Sequence, residues 1–165
     1  DIFYQTVKDI CKKNSKVAMF IDMDGTIVEY SVYLEGEIST SSKGKFINER
    51  PIELIINKLK KINEIANIDL YILTLSKSNI IVEEKKKWLK KYVGFIKEEN
   101  WIIINKEKGE YSKENRDIVK SIKIKEKIDE YDRFILLDDD HKILKQTKSE
   151  LKDKVYVYHI SSAIN

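Results

Sequence analysis

The sequence predicts an α/β domain with a mostly parallel sheet. Apolar, β-prone stretches alternate along the chain with amphipathic stretches of helical period, and polar residues follow several apolar stretches directly. A chain of 165 residues is long enough for one domain with a proper core and short for two. We therefore expect residues 1–165 to form a single domain, a three-layer α/β/α sandwich of Rossmann-like type.

Five apolar stretches predict the strands of the sheet. The first, "VAMFID", is continuously apolar up to its final aspartate, as expected for a strand that is buried on both faces. The other four are "LYILTLS", "WIII", "RFILLD" and "KVYVYHI".

Helices are predicted between these strands. The segment "RPIELIINKLKKINEIA" carries apolar residues at helical spacing, and "SNIIVEEKKKWLKKY" is a second helix with Ser78 as its N-cap. A third helical region covers roughly residues 113–130, with a less regular pattern. Residues 29–50 are polar and contain glycine, so we expect a long loop or a small cap insertion of functional importance.

Composition narrows the function classes. The net charge is +3, with lysine and glutamate interleaved, which is too balanced to favour nucleic acid as an obligatory partner. No apolar run approaches the roughly 20 residues of a membrane-spanning helix, so we expect no membrane partner. The single cysteine, Cys11, cannot form an internal disulfide, which fits a reducing compartment and a cytoplasmic location.

Polar residues cluster where the predicted strands end. Ligands of open α/β sheets bind beyond the carboxyl ends of the strands, so these residues are the candidates for a site. In chain order they are Asp22 and Asp24, Thr74 and Ser76, Asn105 to Lys108, and Asp138 to Asp140.

The aspartates predict a metal site. Asp22 and Asp24 alternate along the strand direction and therefore share a face about 6 to 7 Å apart, while Gly25 permits a sharp exit of the chain. Two like charges 4 Å apart repel by about 4 kcal/mol at an effective dielectric near 20. Mg²⁺ prefers hard oxygen ligands and would relieve this repulsion. We expect Asp22, Asp24, Asp138 and Asp139 to bind Mg²⁺.

The same residues could act on a phosphate ester. Asp22 would attack phosphorus as a carboxylate nucleophile, and Asp24 would protonate the leaving oxygen and later activate water. Thr74 can donate a hydrogen bond to a phosphoryl oxygen, with Ser76 as the alternative hydroxyl. A lysine would neutralise charge that develops in the transition state.

These stretches resemble the motifs of the haloacid dehalogenase (HAD) superfamily of phosphohydrolases. "DMDGT" resembles the first motif, "YILT" the second and "ILLDD" the fourth, and their order agrees from Val17 onward. The resemblance implies a HAD core with a minimal cap and Mg²⁺-dependent hydrolysis through an aspartyl-phosphate. It also places Gly25 and Leu75 at the substrate phosphate, and a third-motif lysine between the second and fourth motifs.

Within the superfamily, "ILTLS" followed by "EKKKWLKKYVG" and "IIINKEK" is similar to the 5'(3')-deoxyribonucleotidase group. This similarity implies that Lys85 binds phosphate and that Lys108 is the third-motif lysine. Lys85 also shares a helical face with Ile81, Trp88 and Leu89, although snorkelling toward water explains that position equally well. For Lys108 the alternatives are Lys106, Lys113 and Lys125.

The sequence departs from the nucleotidases at two places. The insertion after the first motif is much shorter here, and Asp140-His141 stands where those enzymes tend to have Arg-Pro. We expect a small phosphorylated substrate, a nucleoside monophosphate by this similarity. The alternatives are a phosphoprotein or nucleic acid end as substrate, a phosphotransferase, and a non-catalytic phosphate-binding module.

Overall fold

A five-stranded parallel sheet lies at the centre of the molecule. The structure is a computed structural model, and it describes residues 1–30 and 46–164. The strands are β1 (Val17–Ile21), β2 (Ile68–Ser76), β3 (Trp101–Asn105), β4 (Arg133–Asp138) and β5 (Val155–His159). Their order is β3-β2-β1-β4-β5, and every neighbouring pair is parallel. The predicted fold class and all five predicted strands are confirmed.

Helices cover both faces of the sheet. They are α1 (Ile2–Lys13), α2 (Glu53–Ile62), α3 (Asn79–Tyr92), α4 (Val119–Lys125) and α5 (His141–Leu151). Val17, Met19 and Ile21 of β1 pack with the buried residues of α1, α2 and α3, whereas Ala18 and Phe20 pack with those of α4 and α5. Alternate side chains of a strand point to opposite faces, so a continuously apolar β1 is needed between two helical layers.

The helix boundaries partly match the predictions. Ser78 is the N-cap of α3, since its side chain accepts a hydrogen bond from the Ile81 amide at 3.2 Å. The region predicted as helical over residues 113–130 contains only the short α4, with turns on either side. Helix α5 has no counterpart among the predicted helices, and it begins directly after the aspartates that follow β4.

The connectivity determines where a ligand can bind. From β1 the chain builds β2 and β3 on one side of the sheet, then returns to place β4 and β5 on the other side of β1. The order of strands therefore reverses between β1 and β4. In open α/β sheets, such a reversal creates a crevice at the carboxyl ends of the two strands.

The predicted cap falls mostly outside the described residues, because residues 31–45 are not among them. Its described end contains a 3₁₀ turn, Phe46–Asn48, that packs on α3. Across residues 1–30 and 46–164, none of the helices combines the length and the hydrophobicity that crossing a bilayer requires.

Candidate active site

A cavity of about 450 Å³ opens at the carboxyl ends of β1, β2 and β4. Its lining combines acidic, basic and aromatic side chains from both ends of the sequence. The charged members are Asp22, Asp24, Glu29, Glu49, Lys77, Lys85, Arg116, Lys120, Asp138, Asp139 and Asp140. The cavity thus lies at the reversal point of the sheet, where the strand-end aspartates were expected to converge.

Asp22 follows β1 directly and is almost fully buried. One carboxylate oxygen, Oδ1, accepts a hydrogen bond from Lys120 Nζ at 2.9 Å, and Oδ2 accepts one from the Thr26 hydroxyl at 3.1 Å. Burial raises the pKa of Asp22 to about 6; the positive charge of Lys120 opposes this rise, and the negative charge of Asp138 adds to it. The side chain is therefore oriented by two donors at the floor of the cavity.

The turn after β1 is built to bring the chain back past this carboxylate. The carbonyl oxygen of Met23 accepts hydrogen bonds from the amides of residues 26, 27 and 28. Gly25 has a φ of +77°, a left-handed conformation that side chains disfavour, and a Cβ here would collide with the Asp139 carboxylate and the Tyr30 ring. Glycine is thus required both for the turn and for the close approach of the acidic residues.

Lys120 is the central cation of the site, and the sequence analysis did not identify it. Its side chain is only 1% exposed, and its Nζ lies 2.9 Å from Asp22 Oδ1 and 2.7 Å from Asp138 Oδ2. Burial acts to lower the pKa of Lys120, but the charges of the two aspartates and their hydrogen bonds outweigh it and raise the pKa. Lys120 is consequently a fixed ammonium group between two carboxylates.

Lys108, the lysine expected in this role, lies elsewhere. It is exposed in the turn that follows β3, and it is not among the described residues that line the cavity. The chain between Asn105 and Val119 makes two turns before α4 begins, so Lys108, which follows β3 closely in sequence, is not the lysine that contacts Asp22 and Asp138. Of the alternatives, Lys125 forms an ion pair with Glu150, and Lys106 and Lys113 are exposed.

Lys85 is a second buried cation, and it lies where the inward-facing position on α3 predicts. Its Nζ donates to Asp24 Oδ2 at 3.0 Å, to the Thr74 hydroxyl at 2.7 Å and to the Leu75 carbonyl at 2.8 Å. Burial lowers the pKa of Lys85, although the nearby charge of Asp24 acts in the opposite direction. The side chain does not snorkel to the surface, since only 2% of it is exposed.

Asp24 is the more accessible of the two first-motif aspartates. Its side chain is 47% exposed and lines the cavity, while one oxygen is held by Lys85. Thr74, the preferred second-motif hydroxyl, is fully buried and contacts the same lysine. The hydroxyl of Ser76, the alternative, has no hydrogen-bond partner among the described residues.

Three carboxylates could hold a metal ion. One oxygen each from Asp22, Asp138 and Asp139 lies within 4.8 Å of the other two. Burial raises the pKa of Asp139, a hydrogen bond from Tyr30 opposes the rise and the charge of Asp22 reinforces it. Hard oxygen donors at this spacing, in mutual repulsion, fit Mg²⁺. Asp24 was expected as a fourth ligand, but its carboxylate lies with Lys85 and outside this group.

The loop after β4 is fixed by its own hydrogen bonds. The Asp138 Oδ1 atom accepts from the Asp140 amide at 3.1 Å. Asp140 in turn caps α5, since its side chain accepts from the amides of Lys142 and Ile143. It also forms an ion pair with Arg116 at 2.9 Å, on the rim of the cavity. Asp140 therefore supports the loop from outside the acidic group.

Comparison with known proteins agrees with this architecture. No protein-family model matches the chain, and no curated protein matches it. Among solved structures, the HAD domain of the effector protein Lem4 from Legionella pneumophila matches with a TM-score of 0.53 at 14% identity, covering 88% of this chain and 87% of that chain. An inactive mutant of the same Lem4 domain matches with a TM-score of 0.54 at 14% identity, covering 87% and 84%. The chain therefore has the fold of a HAD domain.

Proposed function

We propose that the protein is a Mg²⁺-dependent phosphomonoester hydrolase that works through an aspartyl-phosphate on Asp22. One observation carries the proposal: Asp22 and Asp24 border the same cavity, and each is in an ion pair with a different buried lysine. Two acids and two cations around one crevice suit a phosphoryl group, whose transfer depends on positioning and charge stabilisation. The HAD fold shared with Lem4 supports the same reaction class.

Asp22 acts as the nucleophile in the first step. A carboxylate oxygen of Asp22 forms a bond to phosphorus while the bond from phosphorus to the ester oxygen breaks. Asp24 gives a proton to the departing oxygen from the carboxyl oxygen that Lys85 does not hold, so the leaving group departs as an alcohol. Asp24 suits this role because it lines the cavity and nearly half of its side chain is exposed.

Asp24 acts as a base in the second step. It accepts a proton from a water molecule whose oxygen bonds to phosphorus, and the bond between phosphorus and Asp22 breaks. Inorganic phosphate leaves, and both aspartates return to their starting states. Lys120 and Lys85 hold the two carboxylates in fixed directions throughout, and the Thr74 hydroxyl accepts a hydrogen bond from Lys85.

Asp22, Asp138 and Asp139 would hold Mg²⁺, whose charge would offset that of the phosphoryl oxygens. The positive charge of Lys120 neutralises part of the negative charge of the three carboxylates before any metal binds, because Lys120 contacts Asp22 and Asp138. Asp139 is left with the Tyr30 hydroxyl as its donor. Of these three carboxylates, Asp139 is therefore the one that has no contact with the Lys120 ammonium group.

For the substrate we propose a nucleoside monophosphate. A cavity of about 450 Å³ is within the usual range for small-molecule sites, roughly 300 to 1,000 Å³. Three aromatic side chains, Tyr30, Phe46 and Tyr111, are among the residues that line it, and they offer apolar surface against which a flat base could pack. Arg116 adds a further cation to the lining, where it forms an ion pair with Asp140.

The test is phosphate release from a panel of esters in the presence of Mg²⁺. The panel contains deoxynucleoside and ribonucleoside 5'- and 3'-monophosphates, sugar phosphates, a phosphopeptide and a 3'-phosphorylated oligonucleotide. Asp22→Asn should abolish turnover, whereas Asp153→Asn, at an exposed acid beyond α5, should not change it. EDTA should remove activity, and added Mg²⁺ should restore it.

The panel separates the competing functions. Selective turnover of nucleoside monophosphates would support the proposal in full. Turnover of only the phosphopeptide or the oligonucleotide would keep the reaction class and replace the substrate. No turnover of any ester, with Mg²⁺ still bound, would overturn the hydrolase proposal in favour of a phosphate-binding module.

A further inference from the structure

The imidazole of His159 contacts the loop that follows β4. This loop carries Asp139, a member of the acidic group formed by Asp22, Asp138 and Asp139. His159 is the last residue of β5 and pairs in register with Asp138. Its Nε2 atom lies 3.0 Å from the carbonyl oxygen of Asp139. The contact is between a side chain of the neighbouring strand and the backbone of a residue whose carboxylate belongs to the acidic group.

The hydrogen bonds of the ring define its tautomer. The Nδ1 atom accepts from the backbone amide of Ser161 at 3.2 Å, and an amide can only donate. In the neutral imidazole Nδ1 is therefore unprotonated, and the proton resides on Nε2. The Nε2 group consequently donates its hydrogen to the Asp139 carbonyl. The Ser161 hydroxyl, 2.8 Å from Nδ1, then acts as a second donor to the same nitrogen.

A second histidine holds the ring from its face. The rings of His141 and His159 are stacked, with centroids 4.1 Å apart and planes within 2°. His141 is the first residue of α5 and directly follows Asp140, the N-cap of that helix. His159 is thus fixed by the 3₁₀ turn after β5 on one edge and by α5 on one face, and it presents one donor to Asp139.

We infer that His159 is a positioning residue for the acidic group. The peptide between Asp139 and Asp140 is held at its carbonyl by His159 and at its amide by Asp138 Oδ1. Both contacts restrict rotation of this peptide, and the direction of the Asp139 carboxylate depends on it. Residues that orient metal ligands from the next layer commonly change metal affinity by 10- to 100-fold when replaced.

The test uses three variants that distinguish the hydrogen bond donated by His159 Nε2 from the stacking of the His159 ring on His141. His159→Phe keeps a ring that can stack on His141 but has no N–H, and His159→Gln keeps an N–H donor near the position of Nε2. His141→Phe is the matched control, because it changes the stacked ring, whereas the hydrogen bond to the Asp139 carbonyl comes from His159. Should His159→Phe fail to fold, His159→Asn replaces it, since its shorter amide does not reach the carbonyl.

The first measurement needs no metal. Hydrogen exchange of the Asp140 amide, followed by NMR, reports whether the peptide is held in place. His159→Phe should speed this exchange by about 10-fold, and His159→Gln and His141→Phe should leave it near the wild-type rate. Unchanged exchange in His159→Phe would overturn the inference.

The second measurement rests on the proposed function, because it uses Mg²⁺. By isothermal titration calorimetry, His159→Phe should bind Mg²⁺ about 10-fold more weakly, with His159→Gln and His141→Phe close to wild type. Equal affinity of His159→Phe and wild type, or equal loss in His159→Gln, would overturn the metal part. A wild-type protein that binds no Mg²⁺ would contradict the proposed function, while the exchange data would still decide whether His159 positions the loop.

Discussion

Lys120 Nζ lies 2.9 Å from Asp22 Oδ1 and so joins the short helix α4 to the end of β1. The same ammonium group lies 2.7 Å from Asp138 at the end of β4. One buried cation therefore connects the central strand β1 with its neighbour β4 at the point where the proposed reaction takes place. Stability and catalysis are linked at this residue, which makes it the most informative position to change.

Lys120→Met should impair both properties. Removing the cation leaves two buried carboxylates without their counter-ion, which costs about 3 to 5 kcal/mol in the free energy of unfolding. Loss of a fixed positive charge beside the reacting phosphoryl group should lower turnover by about 10² to 10³. Urea unfolding measures the first effect and steady-state phosphate release the second.

Lys108→Met is the matched control, because Lys108 was the sequence-based choice for the same role and is exposed. We expect its free energy of unfolding to change by no more than about 0.5 kcal/mol and its turnover to stay at the wild-type level. A folded Lys120→Met protein with full activity, or a stable Lys108→Met protein without activity, would reverse this assignment.

Lys85→Met should distinguish the role of Lys85 from that of Lys120. Lys85 contacts Asp24, Thr74 and the Leu75 carbonyl, so its removal disturbs the acid–base residue and leaves the nucleophile in place. We expect kcat to fall by about 10², because the Asp24 carboxylate loses the charge that orients it. Steady-state kinetics on the best ester of the panel measure the effect.

The control for Lys85 is its neighbour on α3. Lys86 is partly exposed and pairs only loosely with Glu83 at 3.5 Å, so Lys86→Met should leave kcat unchanged. If Lys85→Met lowered the free energy of unfolding but left kcat and KM at their wild-type values, the residue would be structural and its catalytic assignment wrong.

The fold could be predicted from the sequence, and so could the strand-end aspartates and Lys85 of the candidate site. Continuous apolar runs that end in aspartate identified β1 and β4, and parallel topology then brought Asp22 and Asp138 together. Lys85 was also within reach, because a lysine on the apolar stripe of a long helix is conspicuous. These features depend on local periodicity, which a sequence displays directly.

Lys120 could not be found in the same way. Helix α4 has seven residues, about two turns, and three of the seven are lysines, so no clean apolar stripe marks the inward face. What places Lys120 is the path of residues 106–118, which depends on turns and on tertiary contacts. The hydrogen bond between His159 and the Asp139 carbonyl also depends on strand register. The sequence around His141 and His159 has no pattern that predicts it.

The pH dependence of turnover should follow Asp22. Burial raises the pKa of this carboxyl to about 6, and only the carboxylate is a nucleophile. Turnover requires Mg²⁺ in the proposed mechanism, and a bound cation favours the ionised carboxylate, so the acid limb of kcat/KM should lie below pH 6. Along that limb kcat/KM should fall about tenfold per pH unit. With saturating Mg²⁺, an acid limb that lies above pH 6 would contradict the assignment.

The raised pKa of Asp22 also makes the free energy of unfolding depend on pH. The ordinary pKa of an aspartate, 3.8, applies to the unfolded chain, so between about pH 4 and pH 6 the folded state binds the Asp22 proton more tightly. The contribution of Asp22 to the free energy of unfolding is therefore present below pH 4 and is lost as the pH rises through 6. Urea unfolding of wild type and Asp22→Asn at pH 4.5 and pH 7 measures this difference. Parallel pH dependence of the two proteins would contradict it.

Glu84 is the residue of α3 whose burial has no visible compensation. It is 6% exposed, and neither carboxylate oxygen has a hydrogen-bond partner among the described residues. Burying a carboxyl group without a hydrogen-bond partner is unfavourable, so Glu84→Met should raise the free energy of unfolding by about 1 to 3 kcal/mol. Glutamate and methionine have similar helix propensities, so the backbone contributes little to the difference.

Glu83→Met, at an exposed neighbour, should change stability by no more than about 0.5 kcal/mol. Urea unfolding at pH 7 compares the three proteins, and a Glu84→Met variant that is less stable than wild type would show that this carboxylate has a favourable partner.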